Sequence, residues 1–401
     1  MPYANPEIKP FFSIVIPTRD RAFLLKDLID SIVSQDFDDF EIIVADNSKE
    51  LLSQDLLGNY KNEARLHNVK TGNLNMADNW ETAINSASGQ FLLVFSDKMI
   101  LKQGSLKFLK EYINQNNPDC VTWNIDAYYD HNNAYFDKAT IEKDRIISSD
   151  DLFRDILKAD MFSFDCSAFH CNSAVSIEII NKIKSKTGRV CMQLNPDYTM
   201  SYQILMYISK IHKISKSLSV LRYQDLETGY GNGSSFMKKT SQALLFMNDN
   251  KDWVNRTRGI NDVPIEGNHF VLDLILKDLY VVLSLYNKNP DELVPRNIRI
   301  SYYYFYTLNE IYWRISMGVD MKEELRLWKS TLKKESVEIR SSASKLIKLL
   351  VFKKYKILLI QFCKRSFLIS PFLNLIRSII HANKGKRYNS INELFHNLYV
   401  E

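Results

Sequence analysis

The first hundred residues switch between two hydrophobic periods in regular alternation, and that alternation limits the chain to a small set of folds. FFSIVIP (11–17) is a short continuous apolar run closed by Pro17, the pattern of a strand covered on both faces. In RAFLLKDLIDSIVSQD (21–36), Leu24, Leu25, Leu28, Ile29, Ile32 and Val33 recur every three to four positions, one face of a helix laid on a sheet. EIIVADN (41–47) predicts a second buried strand, LHNV (66–69) a weaker third, MADNWETAINSA (76–87) a helix and GQFLLVFSD (89–97) a fourth strand. Strands and helices in this order build an α/β fold around a mostly parallel, doubly wound sheet.

Open parallel sheets bind ligands outside the carboxyl ends of their strands. Three of the predicted strand ends carry polar clusters: Pro17-Thr18-Arg19-Asp20, Asp46-Asn47-Ser48 and Ser96-Asp97-Lys98. The first strand-helix junction lacks both the G-x-G-x-x-G turn and the G-x-x-x-x-G-K-[ST] phosphate loop, which argues against NAD enzymes and P-loop NTPases.

Residues 119–235 look mixed, with CVTWNID, FDCSAFHC and SVLRY as strand candidates and a helix over 198–210 opened by Asn195-Pro196-Asp197. TGYGNGSSFMKK (228–239) gathers three of only 12 glycines, so it reads as a flexible loop, a domain boundary or a lid gated by Gly229, Gly231 and Gly233. Beyond it, helical patterns cover 268–286, 296–317, 321–338 and 345–380, the last interrupted at Pro371. The expected division is 1–235 and 236–401. Five cysteines, odd in number and with no C-x-x-C pair, make neither a disulfide framework nor a zinc site. His170 has no second ligand at metal spacing.

The opening segment, FFSIVIPTRDRAFLLKDLIDSIVSQDFDDFEIIVADNS, resembles that of the bacterial family 2 glycosyltransferases, with their P-T-x-N-R turn written as Pro17-Thr18-Arg19-Asp20-Arg21. TGNLNMADNWETAINSASGQFLLVFSDKMIL is similar to the family's following segment, which leads into an acidic D-x-D-like motif. The resemblance covers about residues 11–235. It implies a GT-A fold, a nucleotide-diphosphate sugar as donor, an inverting transfer to an acceptor hydroxyl, and a divalent cation, Mg or Mn, between the diphosphate oxygens.

On that resemblance, Pro17, Thr18, Arg19 and Asp20 line the nucleotide and diphosphate, and Asn79 approaches the nucleotide while its neighbour Trp80 packs in the core. A carboxylate at Asp46 accepts an imino N–H, which uracil, thymine and guanine possess and cytosine lacks; the alternative is a cap on the following turn. Ser96 and Asp97 match the start of the acidic motif, Asp97 lying by the ribose and diphosphate as the one remaining metal ligand. Its second acid is replaced by Lys98, and a protonated lysine cannot ligate a metal. Either a cation is held weakly by Asp97 and phosphates, or the Lys98 ammonium takes over part of the cation's role. In LNPDYTMSYQIL (194–205), Asp197 matches the family's general base, although Asn195, Pro196 and Asp197 also make a well-formed helix start.

Residues 340–392 contain 12 Lys or Arg and no Asp or Glu, while the whole chain is only +5. Mixed with apolar residues, that run reads as interfacial helices on an anionic membrane surface, or as a core helix with snorkelling lysines. No nucleic-acid module accompanies the charge. Residues 1–10 lack a secretory signal pattern and no uncharged stretch reaches the roughly 18 residues of a span, so the expected location is the cytoplasm, peripheral on the inner face of the cell membrane. The expected activity is transfer of a sugar from a UDP, dTDP or GDP sugar to a glycan or lipid-linked acceptor in bacterial polysaccharide synthesis. The alternative is a non-catalytic relative whose metal motif decayed at Lys98.

Overall fold

The structure, a computed structural model, describes residues 9–48, 52–130, 133–137, 143–159, 171–192, 194–223, 239, 260, 262–348 and 386–387. They divide into two compact units, the first drawn from Met1–Leu152, Phe164–Asp225 and Lys386–Glu401, the second from Phe153–Ser163 and Leu226–Gly385. The stretches 153–163, 226–235 and 386–401 are thus grouped across a boundary placed at 235.

In chain order the elements up to Tyr223 are β1 (Phe12–Thr18), α1 (Ala22–Val33), β2 (Phe40–Asp46), α2 (Leu52–Gly58), β3 (Leu66–Lys70), α3 (Met76–Asn85), β4 (Phe91–Val94), β5 (Met99–Leu101), α4 (Ser105–Asn116), β6 (Cys120–Tyr129), β7 (Ala134–Phe136), β8 (Arg145–Ser148), α5 (Ser149–Leu157), β9 (Ser173–Ser176), α6 (Ile177–Thr187), α7 (Pro196–Leu205) and β10 (Lys210–Tyr223). The strands β3-β2-β1-β4 are parallel neighbours in that order. β9 then lies antiparallel between β4 and β6. β10 runs parallel to β6 and antiparallel to β5 and β8, and β7 joins the far edge to β11 (Lys386–Arg387). This is the expected α/β fold with a mostly parallel sheet.

Every residue of β1 and β2 is buried, because helices cover both faces of that part of the sheet. α1 turns Leu24, Leu25, Leu28, Ile29 and Ile32 inward, and the last four pack with Ile14, Ile16, Ile42, Val44, Leu93 and Trp123 in one core. Gly89 sets how closely β4 can start beside β1. A Cβ on it would stand 2.8 Å from both the backbone nitrogen and the hydroxyl of Ser13, whose Oγ accepts the Gly89 N–H at 2.7 Å.

Three expectations are corrected. The helix expected over 198–210 ends at Leu205, and 210–223 is the long strand β10, of which SVLRY is only the end. Ile208, Ile211 and Ile214 imitate a helical stripe, but Ile208 lies in the connection after α7, and Ile211 and Ile214 belong to a strand whose register with β6 shifts twice between Lys213 and Ser219. GQFLLVFSD is a shorter strand than predicted, because the chain turns at Ser96, where its carbonyl accepts the Met99 N–H at 2.9 Å, and leaves to pair with β10 as β5. The segment FDCSAFHC, with His170, lies outside the described residues except for Cys171.

The second unit is helical in its described part: α8 (Val271–Leu285), the short α9 (Pro290–Leu293), α10 (Arg296–Ser316), α11 (Lys322–Lys334) and a further helix over 337–348. These match three of the four predicted helical stretches. Polar contacts of buried side chains tie the unit together: Arg299 donates to the Val294 carbonyl at 2.9 Å, to Tyr280 Oη at 2.7 Å and to the exposed Asp291 at 2.7 Å. Asp273 accepts from the N–H groups of His269 and Phe270 and from Tyr303 Oη. Burial lifts its carboxyl to about 7 against those donors. Among the described residues no helix is long and apolar enough to cross a membrane. The glycine-serine loop 229–235 and most of the basic stretch 340–392 lie outside the described residues.

Candidate active site

Because β1, β2 and β4 are parallel and in register, their carboxyl ends open on one edge of the sheet. Thr18 lies opposite Asp46, and the Asn47 N–H donates to the Thr18 carbonyl at 3.0 Å. The Thr18 hydroxyl donates to Asp97 Oδ2 at 2.8 Å, while Arg21 Nη1 donates to Asp97 Oδ1 at 3.0 Å. Asp97 is 2% exposed, so the Arg21 guanidinium supplies the counter-charge for a nearly sealed carboxylate.

The arginine on Asp97 is Arg21. Arg19 lies toward solvent and pairs loosely with Asp20 at 3.7 Å. Asp20 takes the left-handed conformation, φ 54°, and its N–H donates to Ser48 Oγ at 2.8 Å. Asp and Asn tolerate that conformation better than other non-glycine residues, which gives a physical reason for an Asn or Asp at this position of the turn. Pro17 is buried in β1 opposite Ala45.

Lys98 follows Asp97 in the turn that begins at Ser96. Its carbonyl accepts the Arg222 N–H at 3.0 Å, which fastens the turn to β10. Arg222 in turn forks onto Asp130 and Asp27 at 2.6 to 2.9 Å. Partial burial, aided by the Arg21 charge and opposed by Asp97, lowers the Lys98 ammonium to about 8.

Asp46 is buried, and its Oδ1 accepts the Ser48 N–H at 3.0 Å, a turn-capping bond that exists alongside any role in base recognition. Asn79 has its amide engaged within the fold: Nδ2 donates to the Ala45 carbonyl at 3.3 Å and Oδ1 accepts from the Thr71 hydroxyl at 2.5 Å. It braces the end of β2 from α3. Trp80 is partly buried against the core, as expected.

Asp197 sits in the first turn of α7, behind Asn195 as cap and Pro196 at the first helical position. Asn195 makes no side-chain capping bond, so the helix start leans on Pro196 and the acid. Desolvation raises the Asp197 carboxyl to about 6, opposed by the backbone N–H groups of Tyr198 and Asp197 itself, although part of the residue stays accessible. Cys171 links this acid to the strand ends. Its buried thiol is pushed up first by desolvation, then by the negative charges of both Asp197 and Asp97, and it neighbours the Ser96 backbone. Both acids of the site thus act on one buried thiol.

The segment before Asp197 is anchored from α3. Glu81 Oε2 accepts the N–H groups of Val190 at 2.9 Å and Cys191 at 2.7 Å, Arg189 pairs with Asp78 at 2.7 Å, and Gln203 Nε2 donates to the Val190 carbonyl at 2.7 Å. Leu194, just ahead of the acid, has φ 84°, a strained conformation for a leucine. Glu81 and Arg21 escaped the sequence reading, Glu81 because nothing in the helical pattern of α3 sets it apart. Arg21 was visible as the last letter of the P-T-x-N-R turn. Cys171, Cys120 and Cys191 are free and buried, in keeping with core thiols.

A divalent cation fits these residues poorly. Asp97 gives one of its oxygens to Thr18 and the other to Arg21, and the next residue brings a second positive charge instead of a second carboxylate. Among the described residues, no group of three or more His, Cys, Asp or Glu side chains is placed to hold a metal.

Residues 13–176 match the family model described as "Glycosyl transferase family 2". This stretch belongs to glycosyl transferase family 2. The transferase domain thus contains Thr18, Arg21, Asp46, Glu81, Asp97, Lys98 and Cys171, and Asp197 follows it. A curated relative, the GalNAc(5)-diNAcBac-PP-undecaprenol beta-1,3-glucosyltransferase of Campylobacter jejuni, is 31% identical over 109 residues, 26% of this chain and 35% of the relative. The match therefore spans about a third of that relative's length. Solved structures of TarS from S. aureus are also similar: the 1–349 fragment at 12% identity and TM-score 0.45, covering 84% of this chain and 90% of that one, and a longer form at 14% and 0.45, covering 83% and 55%.

Proposed function

We propose that the protein is an inverting glycosyltransferase that moves a sugar from a nucleoside-diphosphate donor to a hydroxyl of a glycan or lipid-linked acceptor, in bacterial surface polysaccharide synthesis. The observation that carries this reading is a pair of acids that both act on the buried Cys171: Asp97, sealed in the turn after β4, and Asp197, raised to about 6 at the start of α7. A base poised just below neutral pH is ionised when the reaction runs and still basic enough to take a proton. Family membership of residues 13–176 supports the reaction class, and the Campylobacter relative's name supports an undecaprenol-linked acceptor.

In this reading Asp197 accepts the acceptor's hydroxyl proton as that oxygen bonds to the anomeric carbon. The bond from that carbon to the donor phosphate breaks with its electron pair going to the nucleoside diphosphate, so the configuration inverts. Asp46 selects a base with an imino N–H, favouring uracil, thymine or guanine. Pro17, Thr18 and Ser96 shape the floor of the nucleotide site, with Arg19 and Asp20 at its rim and Asn79 behind the Asp46 strand. The basic run 340–392 holds the enzyme on an anionic membrane surface at the inner face, beside a lipid-linked acceptor.

The test is incubation of the purified chain with UDP, dTDP and GDP sugars and undecaprenyl-linked glycans, with products read by mass spectrometry and their anomeric configuration by NMR. A new glycosidic bond of inverted configuration is expected. Binding of a nucleotide sugar without hydrolysis or transfer under any condition would favour the alternative that Lys98 raises, a non-catalytic relative.

A further inference from the structure

The disagreement between the residues at the strand ends and a divalent cation has a positive counterpart. Arg21 pairs with a single carboxylate, Asp97, at the carboxyl edge of the sheet, and Lys98 follows that acid in the chain, within electrostatic reach of both. Asp97 is 2% exposed and has one oxygen 3.0 Å from the Arg21 guanidinium and the other 2.8 Å from the Thr18 hydroxyl. A dication entering there would meet two like charges and a carboxylate already engaged on both oxygens. A diphosphate would meet the reverse, an excess of positive charge whose partners are fixed. Arg21 is aimed by Asp97, with 29% of its side-chain surface open, and the Lys98 backbone is pinned by Arg222 at 3.0 Å. Such preset donors need no rearrangement when charge develops on a leaving group.

We propose that Arg21 and Lys98 form a cation-independent clamp for the donor's diphosphate. The inference rests on the glycosyltransferase reading and adds to it a ligand contact, Arg21, and a charge source for the leaving group. Arg21 offers planar N–H donors to phosphate oxygens, and Lys98 a point charge. As the glycosidic bond breaks, the negative charge arriving on the diphosphate is met by these two side chains, and Asp97 keeps Arg21 turned toward it.

The experiment measures, by calorimetry on the full chain, the affinities of UDP, GDP and dTDP and of uridine, guanosine and thymidine, each with EDTA and with Mg or Mn. Expected is a diphosphate affinity that changes less than twofold between EDTA and metal, and that falls at least about tenfold in Lys98→Ala and in Arg21→Ala while the matching nucleoside changes less than about threefold. Arg21→Ala uncovers the Asp97 carboxylate and is paired with a thermal melt; Lys98→Ala carries the test if that variant does not fold. The clamp is overturned if EDTA abolishes diphosphate binding and Mn or Mg restores it, or if Lys98→Ala weakens nucleoside and diphosphate equally. In both cases a nucleotide still binds and the glycosyltransferase reading stands. Binding of none of the six compounds by the folded chain would overturn both.

Discussion

Acidifying the assay isolates the role of Asp197. Its carboxyl is raised from 3.8 to about 6 by desolvation, so it is about nine-tenths ionised at pH 7 and about one-tenth ionised at pH 5. If the ionised form takes the acceptor proton, kcat falls roughly tenfold between those values, whereas an ordinary carboxylate would lose less than about a tenth. Asp197→Asn removes the base and is expected to cost about 10²- to 10⁴-fold in kcat with the affinity for the nucleoside diphosphate unchanged. The same shift has a stability signature. A carboxyl raised in the folded state contributes stability that is fully present below 3.8 and lost as pH rises through about 6, by at most about 3 kcal/mol. Asp197→Asn should therefore melt higher than the parent at pH 7.5 and lose that advantage by pH 4. The assay is a pH series of initial rates under saturating substrate, with melting curves on both proteins. A rate that stays flat to pH 5, or a variant that melts lower at pH 7.5, refutes the assignment of Asp197 as a desolvated base.

Gly89→Ala forces a Cβ to 2.8 Å from the Ser13 backbone nitrogen and should cost about 1–3 kcal/mol in urea unfolding, where a neutral outcome would mean that β4 can step away from β1. Glu81→Ala strips the acceptor from two N–H groups ahead of Asp197; kcat should fall more than tenfold with donor KM within threefold, whereas a proportional change in both would make Glu81 a general scaffold residue. In the second unit, Arg299→Met leaves the buried Tyr280 hydroxyl and the Val294 carbonyl without their donor and should cost about 1–3 kcal/mol by thermal melt. Sedimentation with vesicles containing anionic lipid should retain the full chain and lose it when 340–392 is deleted or salt is raised to 1 M; retention unchanged by either would dismiss the electrostatic contact.

The parallel core was legible because both its strands and its helices are buried in the simplest way. β1 and β2 are covered on both faces and read as unbroken apolar runs, and α1 shows a single clean stripe, so periodicity alone located them. Only the end of β10, SVLRY, was legible, because the bulged register with β6 breaks the alternation that marks a strand, and Ile211 and Ile214 follow Ile208 at a helical spacing. The site divides along the same line. Thr18, Asp46 and Asp97 could be placed because strand ends in a parallel sheet fix where side chains gather. The choice between Arg19 and Arg21 could not, because it turns on one backbone angle. At Asp20 the chain enters the left-handed region, α1 begins two residues later at Ala22, and between them Arg21 is brought round onto Asp97 while Arg19 stays toward solvent. Composition carries no trace of that rotation. What the sequence does carry is its permissive residue, an Asp where a left-handed turn is tolerated, and so the lysine that replaces an acid at Lys98 acquires a partner in the turn after the neighbouring strand, β1.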